Sequence, residues 1–312
     1  MTSFVISAIV PTLNRPTDLV ALAETLLEQT VPVQELVVVD AGSPEHEVED
    51  CLRRALSGSS LELVYARAAP STSGQRNRAI ELAKGEILLF FDDDVLLDAD
   101  FVERCLECFE LGFDPPVGGV LGTFTTFPPP TRFRDAFHRV FGMSHAGPGD
   151  TPQAYRSGCF RTLIRPSRVV PVHVMSGGRS AFRRECFATE RFSEYLPGYI
   201  PSEDVELSYR VAKRWTLVHT PHARLHHKRS PTNRLARWDR LGRLLYSRYY
   251  FFRKHVPRDT SHTAAFIWSN LGFCLWTFGS ALQRPQTSLT VVQGLAYGAY
   301  LCATNARGLA PR

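Results

Sequence analysis

The 312-residue chain predicts an α/β fold on a doubly wound, mostly parallel sheet, followed by a C-terminal helical appendage that associates with membrane. Three observations predict the sheet. Apolar runs alternate with helical patterns from the N-terminus to about residue 110. The runs are nearly unbroken, as expected of parallel strands buried on both faces. Polar or acidic residues close three of them: PTLNR after the first, DAGS after the second and DDD after the fourth. Ligands of open α/β sheets bind beyond the carboxyl ends of the strands. One such ending suits an ordinary turn; three at one edge point to a site.

The elements follow in order. SFVISAIVPTLNR opens with a strand over residues 4–10 that ends in a turn at Pro11. PTDLVALAETLLEQT is a helix, with Pro16 near its start and Leu19, Leu22, Leu26 and Leu27 as its apolar face. ELVVVDAGS is the second strand, EHEVEDCLRRAL a helix and LELVYAR the third strand. GQRNRAIELAKG is a helix stopped by Gly85, and EILLFFDDD is the fourth strand. Residues 112–172 are less regular. Breakers at 127–130 (FPPP) and 145–152 (HAGPGDTP) enclose TRFRDAFHRVF, an amphipathic helix candidate inside an insertion. RVVPVHVMSGGRSAFRRECF reads as strand, glycine turn and helix start. SEDVELSYRVAKR reads as a helix with Ser202 as N-cap and Glu203 and Asp204 in its first turn, and WTLVHTPHARLHH as two short strands.

Composition is that of an ordinary globular protein, 44% hydrophobic and 21% charged. Seven cysteines form no framework. Cys105 and Cys108, in ERCLECFE, read as helix residues rather than a zinc or redox pair. The opening residues lack the basic segment of a cleavable signal peptide, so a reduced, cytoplasmic setting is expected. The net charge of +5 hides a division. Residues 1–223 carry 22 Lys and Arg against 29 Asp and Glu, whereas residues 224–312 carry 14 against 2. An acidic body with a basic tail implies an anionic partner surface.

Asp92, Asp93 and Asp94 repel one another and are costly to desolvate, so something positive is expected beside them. A divalent cation, Mn²⁺ or Mg²⁺, fits carboxylate oxygen and shares itself with phosphates. The other reading makes them a solvated turn before a helix capped by Asp98 or Asp100. Glu203 and Asp204 suit either a helix's first turn or a general base. Of the histidines at 219, 222, 226 and 227, adjacent ones on a strand point to opposite faces, so at most one of His226 and His227 serves one site.

Seven ordered motifs, VPTLNR, VVVDAGS, GQRNRAI, FFDDDV, MSGGRSAFRRE, SEDVELSYR and PHARLHH, resemble the family 2 glycosyltransferases, inverting enzymes of the Rossmann-like GT-A fold. The likeness runs from about residue 5 to residue 230. It implies that Pro11, Thr12, Asn14 and Asp40 hold the nucleoside of a UDP-, GDP- or dTDP-sugar and that Arg76 faces the donor. Asp92 would lie near the ribose with Asp93 beside it, Asp94 and His227 would ligate the metal, and Asp204 would be the base with Glu203 beside it. Gly177, Gly178 and Arg179 would line the acceptor side. Arg179 departs from the small polar residue common there and suggests an anionic group nearby.

The resemblance implies a GT-A domain over residues 1–230, with a donor half (1–111) and an acceptor half (112–230), and a helical region over 231–312. In that region Leu235, Trp238, Leu241, Leu245, Tyr249 and Phe252 share one helical face, while Arg237, Arg240 and Arg243 lie around the other side. This pattern suits a basic helix on anionic lipid, or a helix packed on protein. The uncharged stretches 264–282 and 288–304 add to the membrane reading. The expectation is peripheral or monotopic attachment at the inner face of the cell membrane, with a lipid-linked saccharide or envelope glycan as acceptor. A nucleotidyltransferase is disfavoured because VPTLNRPTD lacks a glycine-rich basic loop. A degenerate nucleotide-sugar-binding protein is disfavoured by the intact acids. A nucleic-acid binder is disfavoured by the helical spacing of the tail's aromatics.

Overall fold

The computed structural model describes residues 4–44, 47–126, 131–143, 156–160, 166–232, 235–282 and 288–305. The chain forms two compact units. One comprises Met1–Pro128, Ile164–Tyr199 and Glu203–Asn233; the other comprises Pro129–Leu163, Ile200–Ser202 and Arg234–Arg312.

In the first unit, strands β1 (Ile6–Thr12), β2 (Glu35–Asp40), β3 (Glu62–Arg67) and β4 (Ile87–Phe91) are parallel. They are joined by helices α1 (Pro16–Leu27), α2 (Val48–Ala55) and α3 (Thr72–Leu82). Next come β5 (Val95–Leu97), α4 (Phe101–Phe109) and β6 (Val117–Phe124), then α5 (Arg132–Val140), which belongs to the second unit. The sheet is completed by β7 (Val170–Val172), β8 (Arg179–Arg183) and β9 (Thr216–His227), with α6 (Glu203–Val211) before the last strand. Its order is β3-β2-β1-β4-β8-β6-β9-β5, with β7 beside β9.

Two cores follow from the period-two alternation of the strands. Ile6, Ala8 and Val10 of β1, Leu36 and Val38 of β2, and Ile87, Leu89 and Phe91 of β4 face a core shared with α1, α2 and α4. Ile9, Val37, Val39, Leu88 and Phe90 face the other, shared with α3 and α6. Both faces of the sheet are therefore covered, which is why these strands read as continuous apolar runs. Phe90 packs among Phe182, Phe187 and Phe192 with ring centroids 5.5–5.9 Å apart.

Several expectations needed correction. Leu27 is 42% exposed, whereas Leu19, Leu22 and Leu26 are buried; Leu27 stands about 100° around the helix from Leu26, off the face that Leu19, Leu22 and Leu26 share. RSAFR is a strand, not a helix start: Ser180, Ala181 and Phe182 are buried between β4 and β6, and this pairing overrides local helix propensity. WTLVHTPHARLHH holds one strand rather than two. Its break is local: Pro221 lacks a backbone N–H, and the pairing with β6 jumps from His219 to Arg224. DVLLD holds a further strand, β5, whose three residues are too few to carry a strand pattern and which is fixed by antiparallel pairing with β9. The breakers at 127–130 and 145–152 lie outside the described residues, as do residues 45 and 46 of EHEVEDCLRRAL.

The second unit contains α5, α7 (Arg237–His255), α8 (Thr260–Leu282) and α9 (Ser288–Thr304). The apolar stripe of α7 is largely spent on protein. Trp238 meets Tyr297 at 5.3 Å, and Gly294 and Gly298 of α9 sit so close to Leu241 and Leu245 that an added Cβ would approach each leucine to 2.8 Å. Phe252 stacks on Phe266 of α8 at 4.2 Å. A 3.6-residue stripe reads the same whether lipid or a neighbouring helix covers it; here α8 and α9 do.

Candidate active site

The carboxyl ends of β1, β2 and β4 share one edge, because Thr12 pairs with Asp40 and Ile9 with Phe90 in parallel register. At the end of β2, Asp40 is buried, accepting a hydrogen bond from the Gly42 N–H (2.7 Å) and from the Tyr65 hydroxyl (2.6 Å). Burial and this contact raise the Tyr65 hydroxyl's pKa, so it stays a donor. Asn14, at φ 54°, accepts a hydrogen bond from the Ser43 N–H at 2.7 Å. Gly42 approaches Asn14 and Asp40 so closely that no Cβ would fit. The Gln75 amide donates to the carbonyls of Thr12 (3.0 Å) and Val39 (2.8 Å), clipping the ends of β1 and β2 together around Pro11.

The three aspartates after β4 have different surroundings. Asp93 is buried, with one oxygen taken by the Thr12 hydroxyl (2.8 Å) and the other by Arg15 (2.8 Å). Burial pushes its carboxyl up to about 6 against the pull of Arg15. Asp92 and Asp94 converge with His227: one ligand atom from each lies within 4.8 Å of the other two. The chain leaving β9 wraps this cluster. Ser230 N–H donates to the Asp94 carboxylate at 3.0 Å, and Arg229 N–H to His227 Nδ1 at 3.0 Å. His226 is exposed on the opposite side of the strand, His222 is exposed, and His219 is buried, its Nε2 3.0 Å from the Thr123 hydroxyl.

Arg76, on α3, is buried between two acids: it pairs with Glu203 and, at 3.2 Å, with Asp92. One guanidinium shared between two carboxylates leaves both undercompensated. Burial, then Asp204, push Glu203 up to about 8, and burial raises Asp92 as well. Asp204, the next residue, is only half-buried. Its oxygens accept from the N–H groups of Gly177 (2.6 Å) and Val205 (2.7 Å). Ser202, placed where an N-cap was expected, has φ 64°, outside the extended backbone usual for a cap.

Gly177 and Gly178 are required by close approach. A Cβ on Gly177 would lie 3.0 Å from the Arg76 guanidinium and 3.1 Å from Asp204, and one on Gly178 would overlap the Asp92 carboxylate. This glycine backbone thus runs between the Asp92 cluster and Asp204. Arg179, next along, lies 4.6 Å over the Phe124 ring, which also meets His227 at 5.2 Å. Its Nε donates to Ser176 at 2.9 Å, and among the described residues no carboxylate lies within ion-pair reach. Burial lowers this guanidinium to about 10.

Five carboxyls (Asp92, Asp93, Asp94, Glu203, Asp204) thus face three guanidiniums (Arg15, Arg76, Arg179). Oxygen and imidazole donors fit Mn²⁺ or Mg²⁺, and a divalent cation would offset the burial, and then the neighbouring Asp94 and Asp204, that raise Asp92. Sequence reasoning missed Arg15 and Gln75, which hold Asp93 and the first two strand ends. Arg15 stood in view in the motif VPTLNR, five residues past Val10.

The sheet with its acidic edge matches the GT-A type of transferase fold seen in solved glycosyltransferases. Residues 7–189, more than half of the chain, match the model of Glycosyl transferase family 2, and the chain belongs to that family. The amylovoran biosynthesis glycosyltransferase AmsB of Erwinia amylovora is 24% identical over 226 residues, covering 70% of this chain and 69% of AmsB. The mannosyltransferase PcManGT of Pyrobaculum calidifontis, solved with GDP-Man and Mn²⁺, superposes with a TM-score of 0.58 at 17% identity, over 98% of this chain and 88% of that one. GalNAc-T7, solved with UDP, GalNAc and Mn²⁺, gives 0.57 at 14% identity, over 87% and 55%.

Proposed function

We propose that this glycosyltransferase moves a sugar, with inversion, from a nucleotide-diphosphate donor to a hydroxyl of a lipid-linked saccharide or cell-envelope glycan at the inner face of the cell membrane. The observation that carries the reading is the convergence of Asp92, Asp94 and His227 across a side-chain-free glycine backbone from Asp204. The same cluster favours a donor bound with Mn²⁺ or Mg²⁺; PcManGT was solved with GDP-Man and Mn²⁺, and GalNAc-T7 with UDP, GalNAc and Mn²⁺.

Pro11, Thr12, Asn14 and Asp40 form the rim for the nucleoside, and the Asp40–Tyr65 pair offers it a fixed polar edge. Asp94 and His227 would hold the cation, with Asp92 between it and Arg76. When bound, the cation supplies charge stabilisation to the leaving diphosphate. Asp204 takes the proton of the acceptor hydroxyl as that oxygen attacks the anomeric carbon, while the bond from that carbon to the diphosphate breaks. The backbone N–H groups of Gly177 and Val205, both donating to its carboxylate, aim it. Glu203 is a positioning residue: buried on Arg76, it holds that guanidinium against Asp92. Arg179, with no carboxylate within ion-pair reach among the described residues, suits a phosphate on the acceptor, which favours a lipid-phosphate-linked saccharide.

The test is Asp204→Asn. Binding of the nucleoside diphosphate with Mn²⁺ is expected to persist while transfer falls about 10²–10⁴-fold. Near wild-type turnover would remove Asp204 from the role.

A further inference from the structure

We infer that α5 and α8 together form a docking face for an anionic lipid bilayer, with α8 lying in the membrane plane rather than crossing it. Among the described residues, α8 is the one helix long and apolar enough to span a membrane. Its surroundings, however, differ face by face. Trp268, Gly272 and Trp276 carry α5: Trp268 Nε1 donates to the Val140 carbonyl at 2.8 Å, Phe141 stacks on Trp268 at 4.8 Å and packs on Gly272, and Phe137 meets Trp276 at 5.2 Å. Ser269, Asn270 and Phe273 carry α7: Arg248 donates to Asn270 at 3.1 Å and lies 5.1 Å over the Phe273 ring. The third face is bare. Ile267, Leu271, Leu275, Phe278 and Leu282, at helical spacing, are each 43–80% exposed.

The Arg248–Asn270 pair argues against a span. Asn270 stands at the middle of α8, so a crossing helix would bring a guanidinium to the bilayer centre, where charge is most costly. In the membrane plane, the same pair stays on the side away from the bare face.

Charge identifies the occupant. Beside the bare stripe, α5 exposes Phe133 (72%) and Val140 (64%), and the Phe133 ring stacks on Trp276 of α8 at 6.2 Å. Exposed Arg132 and Arg139 share that surface of α5 with them. Apolar side chains interleaved with arginine fit the headgroup boundary of an anionic leaflet. A second copy of this chain would set arginine against arginine across a two-fold interface.

This deepens the membrane attachment proposed above and does not depend on the transfer chemistry. The experiment is cosedimentation of the full chain with phosphatidylcholine vesicles, with and without phosphatidylglycerol. Wild type is expected to bind the anionic vesicles. Ile267→Asp with Leu275→Asp should lower partitioning at least about tenfold, and Arg132→Glu with Arg139→Glu should remove the preference for anionic vesicles. Both pairs are exposed, and an unchanged thermal shift with nucleoside diphosphate and Mn²⁺ in the same samples would show an intact fold and donor site. Nitroxides at 267, 271, 275, 278 and 282 should report one shallow depth. A depth profile peaking at the helix centre would overturn the in-plane inference. Wild type that ignores vesicles, or that forms a dimer lost on Ile267→Asp, would overturn lipid as the occupant.

Discussion

The edge of the sheet and the bare face of α8 break opposite rules. At the edge, charges lie where apolar groups are expected: Asp93, Asp94, Arg76 and Glu203 are all less than a tenth exposed. On α8, apolar groups lie where charges are expected. Each departure has a local cost, and each makes sense with a partner, a metal-bound diphosphate in one case and lipid in the other. The lesson is that the same departure from pattern needs different proof. Buried charges are fixed by named partners, so removing one has a structural cost. The apolar groups on the bare face of α8 are 43–80% exposed, so removing one costs the fold little.

That contrast can be broken by substitution. The largest structural effect should come from Arg76→Met, which strands Glu203 and Asp92 without their shared cation. A loss of about 3–5 kcal/mol in urea unfolding is expected; Glu203→Gln in the same chain should restore part of it. Phe90→Ala, in the aromatic cluster beneath the site, should cost about 3–5 kcal/mol by leaving a cavity. Gly294→Leu should cost about 1–3 kcal/mol through its clash with Leu241. Ile267→Asp, on the bare face, should change stability by no more than about 0.5 kcal/mol. A cost for Ile267→Asp as large as for Phe90→Ala would show that the face is covered within the chain.

A pH scan sharpens the same comparison. Burial raises Glu203 on folding to about 8 from an ordinary 4.5, and Asp93 moves in the same direction. A carboxyl raised on folding contributes stability below its unfolded value, and this is lost as pH rises through the folded one. Metal-free protein should therefore lose stability as pH rises from about 4.5 past 8, with Glu203→Gln flattening the curve. A flat wild-type profile would show that Arg76 fully compensates Glu203.

How much was legible in the sequence follows the range of the forces involved. The parallel strands were legible because burial on both faces makes an uninterrupted apolar run, and the run's end marks the sheet edge where Asp40 and Asp92–Asp94 stand. Helix α6 was legible from acids in its first turn. The different fates of neighbouring acids were not. Asp93 is tied inward by Thr12 and Arg15, both about eighty residues away, and Glu203 by Arg76, 127 residues away. No periodicity encodes such pairs. The stripe on α7 misled for the related reason that periodicity reports a buried face and not what buries it. Strand β8 was hidden because its sequence favours a helix and only β4 and β6 on either side make it extended.

The most direct measurement is a thermal-shift panel of UDP, GDP and dTDP, each with and without Mn²⁺, on wild type and Asp94→Ala. Ligand bound to the native state raises the melting temperature by mass action. The expected result is that one diphosphate stabilises the wild type only when Mn²⁺ is present, and that Asp94→Ala loses this response. An equal Mn²⁺-dependent shift in Asp94→Ala, or no response of the wild type to any of the three, would contradict a metal-bound nucleotide diphosphate at the sheet edge.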